Sequence, residues 1–347
     1  MVKKIAMNAF TDKSYFKLHA VVKSSKFFEY GRRPYQLIKK WNYPASKIFK
    51  IKLIDKNDDI VFIKLLTNTS KEEMVKHQIL VQKEYRILKS IREKCGRQGQ
   101  YSVIEPLECI KTKHALITKG SKGNRLDYIL LYSLILDTNY YNKTINSIKN
   151  VGMWLRSFYE ETSQVSNKNS IENCIFDEIE EQLKILSNLR NKRSWENLCY
   201  YCMDFVGDRF RSIDNSKLRV SMCHGDFVPG NVLVKEDGEI TVLDFSDSGW
   251  GIIYTDLAWF WQWLDDLKVR RPWHKRYQIE QMKEALLEGF CQGDEDLLDI
   301  FWVFRVGALI KKAWNLTVNE SCNIVSKLQR RRVLKYYRNE LYMRTKC

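Results

Sequence analysis

The sequence predicts an α+β chain in which a small β-rich lobe with one main helix precedes a larger, mostly helical lobe. Two short segments with period-two alternation lie at 47–66. Apolar residues recur at helical spacing from residue 126 onward. A single hairpin pattern, at 220–245, interrupts the helical part. The 347 residues suffice for one large unit or two ordinary ones with a real core.

Lys47–Leu53 alternates apolar and basic residues and reads as a strand. Asp55-Lys56-Asn57-Asp58 is turn chemistry, and Ile60–Leu66 reads as the returning strand. From Lys71 to about Cys95 the spacing is helical, with Ile79, Tyr85, Leu88 and Ile91 on one face. Val103–Ile110 and Ala115–Thr118 are strand-like. Lys119–Arg125 is polar and contains two glycines; without GxGxxG spacing it reads as a hinge rather than a phosphate loop. Helices are expected over 126–137, 144–163 and 177–211, the last with Ile179, Leu183, Leu186 and Leu189 in register, and Ser163–Asn173 as a polar loop. The expected plan is an extension at 1–46, a nucleotide-binding lobe at 47–118 and a hinge at 119–125. The helical lobe then spans 126–326, with a tail at 327–347.

A composition of 44% hydrophobic and 29% charged residues excludes a disordered chain. No apolar run approaches the roughly 18 residues of a membrane-spanning helix. The nearest, Leu126–Leu136 and Ile300–Ile310, carry polar or charged residues. The amino terminus shows no signal-peptide pattern, so the cytosol is the expected compartment, and the 9 cysteines fit it as reduced thiols. Cys199 and Cys202 form one CxxC without a second pair or a histidine cluster, which suits a helix face and not a zinc site.

The net charge of +16 is concentrated at the ends. Residues 1–52 contribute +11 and residues 327–347 contribute +7, so the body between them is nearly neutral. Cations alternate with aromatics at Phe27–Tyr35, at Lys39-Lys40-Trp41 and at Arg330–Arg338. That mixture suits an anionic membrane surface or nucleic acid, and a plain solvated basic face has the same composition.

The chemistry concentrates in Val220–Val234 and Glu239–Phe245, two apolar runs joined by the turn Lys235–Gly238. The pattern sets Asp226 and Asn231 before one strand and Asp244 at the end of the other. Phosphoryl transfer from Mg-ATP needs such a set: a carboxylate to take the acceptor proton, with an amide oxygen and a second carboxylate for a hard cation. It also needs a strand lysine near the phosphates and an acid on the next helix to hold it. Lys64 and Glu84 meet that description, with Glu72 and Glu73 as neighbouring alternatives to Glu84.

His224-Gly225-Asp226 with Asn231, then Leu243-Asp244-Phe245, Ser248–Gly251 and Thr255-Asp256-Leu257-Ala258, resembles the aminoglycoside phosphotransferase and choline kinase superfamily, which has a protein-kinase-like bilobal fold. The resemblance covers about 221–260 closely and 47–130 in outline. It implies Asp226 as catalytic base, Asn231 and Asp244 as Mg2+ ligands, Lys64 on the α/β-phosphates and Glu84 as its ion-pair partner. His224 and Asp256 would support the catalytic loop. Asp247 reads as a solvated or loop-capping carboxylate. The turn at 55–58 lacks the glycines of a protein kinase, which argues against a protein acceptor.

ATP, with GTP not excluded, and Mg2+ are the implied cofactors. The implied acceptors are small-molecule hydroxyls, and the basic ends favour a saccharide or glycolipid at the cytoplasmic membrane face. A soluble aminoglycoside, choline, ethanolamine or sugar kinase is the alternative. A non-catalytic scaffold that binds nucleic acid ranks below both. Asp265 and Asp266 read either as lining an acidic acceptor cleft or, preferentially, as the water-facing side of a tryptophan-bearing helix. Oligomeric state has no signal in the sequence.

Overall fold

A computed structural model describes residues 13–54, 59–67, 70–94, 101–134, 138–165, 177, 179–186, 192–213, 219–270, 276–318 and 324–345. The chain divides into two compact units, Met1–Gly123 with Thr241–Ser246 and Asn124–Ile240 with Asp247–Cys347. The first is built on an antiparallel sheet and the second is mainly helical, as the α+β reading expects.

In the first unit, Tyr35–Asn42 (β1), Ser46–Leu53 (β2), Ile60–Leu66 (β3), Pro106–Ile110 (β5) and Ala115–Lys119 (β6) form one sheet in the order β1-β2-β3-β6-β5, with Tyr101–Val103 (β4) outside it. Phe49, Ile51 and Leu53 alternate onto its buried face, as do Val61, Ile63 and Leu65 of the neighbouring strand. The helix α1, Lys13–Ser24, covers that face with Leu18, Val21 and Val22, beside Phe28. Each such side chain contributes roughly 1.5–3 kcal/mol on full burial.

Two sequence expectations change here. Tyr35–Asn42 pairs with β2, so the sheet begins upstream of residue 47, and the hairpin at 47–66 is its second rather than its first. The turn between the first two strands is Tyr43-Pro44-Ala45, closed by Tyr43 N donating to Ser46 O at 2.8 Å; it too lacks glycine. The turn at 55–58 lies outside the described residues. The main helix α2, Lys71–Lys94, buries Val81, Glu84, Leu88 and Ile91, while Ile79 is exposed instead of sharing that face.

The second unit contains Asn124–Arg125 (β7), Leu126–Ser133 (α3), Thr138–Thr162 (α4), Gln164–Val165 (β8), Lys192–Ser212 (α5), Arg219–Cys223 (β9) and Val232–Val234 (β10). Ile240–Val242 (β11) crosses into the first unit, and Gly249–Gly251 (β12) returns to the second. Four helices follow: Tyr254–Arg270 (α6), Arg276–Cys291 (α7), Glu295–Val318 (α8) and Ile324–Thr345 (α9). Residues 179–186 are helical, with Ile179, Leu183 and Leu186 buried; Leu189 and most of the loop at 163–173 lie outside the described residues. Cys202 is buried on α5, which suits the packed-thiol reading, while the side chain of Cys199 is not among those described. Helices α4 and α7 touch backbone to backbone: a Cβ on Gly152 would lie 2.2 Å from Leu286 O, and one on Gly289 2.1 Å from Lys149 O. Only glycine permits that approach.

The acids after the catalytic segment neither line a cleft nor face water. Asp265 and Asp266 are both buried. Asp265 is ion-paired with Arg305 and, at 2.9 Å, with Lys283, and Tyr336 Oη donates to it at 3.1 Å. Asp266 meets Lys312 at 2.8 Å and accepts from Gln262 Nε2 at 3.2 Å. Burial alone would raise the Asp265 carboxyl, but the two cations outweigh it and hold its pKa below the usual range. The C-terminal basic segment is a docked helix, α9, with Val333, Tyr337 and Leu341 buried at i, i+4 and i+8. No helix among the described residues is long and apolar enough to cross a membrane.

Candidate active site

In the first unit, Lys64 lies on β3 opposite Ile48 and Leu116, one residue from the buried Ile63 and therefore on the other face of the sheet. Its Nζ donates to Glu84 Oε2 at 3.1 Å, Glu84 Oε1 at 3.3 Å and Asp244 Oδ1 at 2.5 Å. The choice among three glutamates is thereby resolved. Glu73 forms a capping box instead, accepting from Ser70 N at 3.1 Å while its own N–H donates to Ser70 Oγ at 3.2 Å; Glu72 is exposed. Burial pulls the Lys64 ammonium down, yet the carboxylates of Glu84 and Asp244 overcome it and raise its pKa, so Lys64 stays charged.

Asp244 holds a left-handed backbone, φ 61°, and accepts a second hydrogen bond from Ser246 Oγ at 2.9 Å. The buried Phe245 that follows fixes the segment. Asp244 itself is about half exposed, 43%, so its carboxylate remains accessible.

In the second unit, the loop from His224 to Asn231 is tied down by backbone bonds. Asp256, in the first turn of α6, accepts from His224 N at 2.6 Å and from Gly225 N at 3.0 Å. Burial raises the Asp256 pKa against the opposing influence of His224. His224 Nδ1 accepts from Asp226 N at 3.3 Å, and its ring lies edge-on to Phe227. Phe227 is stacked on Trp154 with centroids 5.5 Å apart, which anchors the loop in the aromatic core. Gly225 has φ +84°, and a Cβ there would lie 2.3 Å from Asp247 O. The Asp247 residue is exposed, in keeping with the solvated reading. Asn231 Nδ2 donates to Asp226 O at 2.9 Å and to Asp226 Oδ2 at 3.1 Å. The Oδ1 side of the amide therefore faces away from Asp226.

Arg125 and Asp127 carry a role that the hinge reading missed. They form a two-point ion pair at 3.1 and 2.7 Å, and Arg125 also packs on the Tyr128 ring. A Cβ on Gly230 would lie 3.1 Å from the Arg125 guanidinium. The pair thus braces the turn Pro229–Asn231. The RxD spacing beside a strand-to-helix junction is the signal, and it is too common to stand out alone.

Asn231 of the second unit carries an amide oxygen and Asp244 of the first an accessible carboxylate, each a hard donor of the type Mg2+ takes. Among the described residues no cluster of three His, Cys, Asp or Glu forms a separate metal centre.

Residues 187–297 match the model of the phosphotransferase enzyme family, and that span holds His224, Asp226, Asn231, Asp244 and Asp256. The whole chain resembles solved kinases at low identity. A Plasmodium vivax ethanolamine kinase is 12% identical, with 96% of this chain and 92% of that one covered and a TM-score of 0.53. An ADP-bound aminoglycoside phosphotransferase, APH(2'')-Ib, is 11% identical over 93% and 99%, with a TM-score of 0.53. An amicoumacin kinase in complex with AMP-PNP, Ca2+ and Ami is 13% identical over 96% and 97%, with a TM-score of 0.54. These likenesses show the fold. No curated protein matches by sequence. Residues 187–297 are thus similar to the phosphotransferase enzyme family, and the chain has the fold of these kinases.

Proposed function

We propose that the protein transfers the γ-phosphate of ATP, with Mg2+, to a hydroxyl of a non-protein acceptor, a saccharide or glycolipid at the cytoplasmic membrane face. The observation that carries the chemistry is the loop in which Asp256 pins His224 and Gly225 while Asn231 fixes both the backbone and the carboxylate of Asp226. A base held at both ends has little orientation left to lose at the transition state. Asp226 accepts the proton of the acceptor hydroxyl as its oxygen bonds to the γ-phosphorus. The bond from that phosphorus to the β,γ-bridging oxygen breaks, and ADP leaves with the electron pair. Lys64, kept cationic by Glu84, neutralises the nucleotide phosphates. Asn231 and Asp244 would hold Mg2+, which when bound supplies charge neutralisation at the phosphates.

The acceptor assignment rests on the basic ends, which attract anionic surfaces. The burial of Asp265 and Asp266 supports it as well, because it removes the acidic pair that a cationic acceptor would use. A soluble small-molecule acceptor is the second reading, favoured by the names of the structural neighbours, an ethanolamine kinase and an aminoglycoside phosphotransferase. Incubation with γ-labelled ATP, Mg2+ and a cell extract, followed by phase partition, separates the two. Label in the lipid phase that disappears with Asp226→Ala supports the first reading, and Asp226-dependent label in the aqueous phase supports the second. A wild-type reaction indistinguishable from Asp226→Ala in both phases refutes the enzyme assignment.

A further inference from the structure

The basic C-terminal segment is a fixed helix face and not a free tail. Val333, Tyr337 and Leu341 root α9 in the core, and Tyr336 ties it to the buried Asp265. The opposite side of the helix exposes Arg331, Arg332 and Lys335. Between 324 and 345 the only acid is Glu340.

Apolar groups stand out beside those cations. Met343 is 68% exposed and Tyr342 41%, and Tyr200, on the adjacent α5, is 69% exposed. Tyr201 meets Tyr342 edge-to-face at 6.2 Å and Tyr200 at 6.1 Å, so the tyrosines form one connected patch across the two helices. A cavity of about 270 Å3 opens among Asn197, Leu198, Arg338, Asn339 and Tyr342. Arg344 is exposed near the end of the helix and lies over the Trp302 ring at 3.9 Å.

We propose that the α5/α9 face is the surface by which the protein docks on an anionic phospholipid bilayer. Cations on one helix face match the negative surface potential, and tyrosine sits at headgroup depth with one end wet and one apolar. Met343 decides between a bilayer and nucleic acid. The tyrosine rings would serve either partner, but a thioether exposed to this degree gains nothing from a phosphate backbone, whereas insertion at the acyl boundary buries it. The inference deepens the membrane-side reading given above and rests on it for its meaning, but its test is independent of catalysis.

The full chain is sedimented with vesicles of phosphatidylcholine, with and without phosphatidylglycerol, at low and at high salt. Binding to the anionic vesicles alone, weakened by salt, is expected. Each cation removed should lower partitioning about fivefold, so the triple variant Arg331→Gln, Arg332→Gln, Lys335→Gln should lose on the order of a hundredfold. These side chains are exposed, and an unchanged far-UV spectrum and melting curve certify the fold. As a second probe, Met343→Asp should weaken vesicle binding severalfold. Three results overturn the proposal: no binding to anionic vesicles at low salt, equal binding to neutral vesicles, or triple and Met343 variants that bind as well as wild type. Displacement from vesicles by duplex nucleic acid at matched phosphate concentration overturns it in favour of a nucleic-acid surface. Asp226→Ala should bind vesicles like wild type. Vesicle binding without Asp226-dependent transfer supports this surface while refuting the enzyme reading, and transfer without vesicle binding refutes the surface alone.

Discussion

Replacing Asp265 with Asn tests whether the buried charge network holds the helical unit together. The carboxylate is 1% exposed and pairs with Arg305, itself 3% exposed, and with Lys283 at 7%. Lys283 would keep Glu280 at 2.8 Å, but Arg305 would keep only the Gln262 oxygen, at 2.5 Å. A buried guanidinium would lose its counter-charge, a change that costs about 3–5 kcal/mol. With an m-value near the upper end for urea, about 3 kcal/mol/M, the midpoint should fall by roughly 1–2 M. Tryptophan fluorescence reports the transition locally, since Lys283 lies over the Trp261 ring and Lys312 over the Trp259 ring. The sign with pH is fixed. Because the folded pKa of Asp265 is lowered, its contribution is complete above the ordinary carboxylate value of about 3.9 and is lost as pH falls through the folded value. Glu280, also lowered and more exposed, adds to the same trend. Wild-type stability should therefore decline on acidification below about pH 4, and Asp265→Asn should flatten that decline. A loss under about 1 kcal/mol with an unchanged acid limb would refute the reasoning and reduce the network to the worth of a surface pair.

Other outcomes are equally specific. Asp226→Asn should leave the melting curve in place while lowering kcat by about 10²–10⁴-fold, measured by ADP release. Glu84→Gln leaves Lys64 to Asp244 alone, so kcat/KM for ATP should fall at least about tenfold, or about 1.4 kcal/mol, in steady-state assays. Gly225→Ala combines a positive φ with a 2.3 Å approach to Asp247 O and should destabilise the unit by about 2 kcal/mol or more, read by urea titration, with activity lost in parallel. Burial pushes the Cys291 thiol up to about 11 and raises Cys223 further, so at pH 8 neither peptide should be alkylated in mass spectra until denaturant is added.

The sequence reads well where local chemistry dictates local structure. Between Val220 and Phe245, glycine, proline and asparagine leave few alternatives to a strand, a loop and a hairpin. There the Lys235 and Glu239 backbones bond at 2.9 Å and Gly238 N donates to Lys235 O at 3.1 Å. The pairing of Lys64 with Glu84 follows in the sequence only from the downstream motif, with Glu72 and Glu73 left open; the hydrogen bonds of Lys64 to Glu84 and the capping of Ser70 by Glu73 separate them. The first strand was hidden by a bulge: Leu37 faces Ile51 but Lys39 faces Lys50, which leaves Ile38 exposed and breaks the alternation. Helix α1 and helix α9 were obscured by their cations, since three apolar residues on each suffice to root them. Ile79 was assigned to the wrong face because residues 81, 84, 88 and 91 define the buried stripe, and the stripe includes a glutamate that hydropathy cannot favour. Asp265 and Asp266 were misplaced for the complementary reason. Their partners Lys283, Arg305 and Lys312 come from distant helices and cannot be matched to them by periodicity.

The small unit is not continuous in the chain. Thr241–Ser246 completes it, and through this segment Val242 O accepts from Ile104 N at 3.0 Å, Thr241 bonds Ser102 and Ser121, and Asp244 reaches Lys64. A ribosome that has made Gly123 has therefore not yet made everything that unit needs. At roughly 5–20 residues per second, its last strand arrives about 6–25 s later. Until then Lys64 lacks Asp244, and the bonds of Ser102, Ile104 and Ser121 to this segment are not yet made. A fragment ending at residue 123 would carry Lys64 without the carboxylate of Asp244 that completes its surroundings, so the unit matures only after the loop from His224 to Asn231 has been translated.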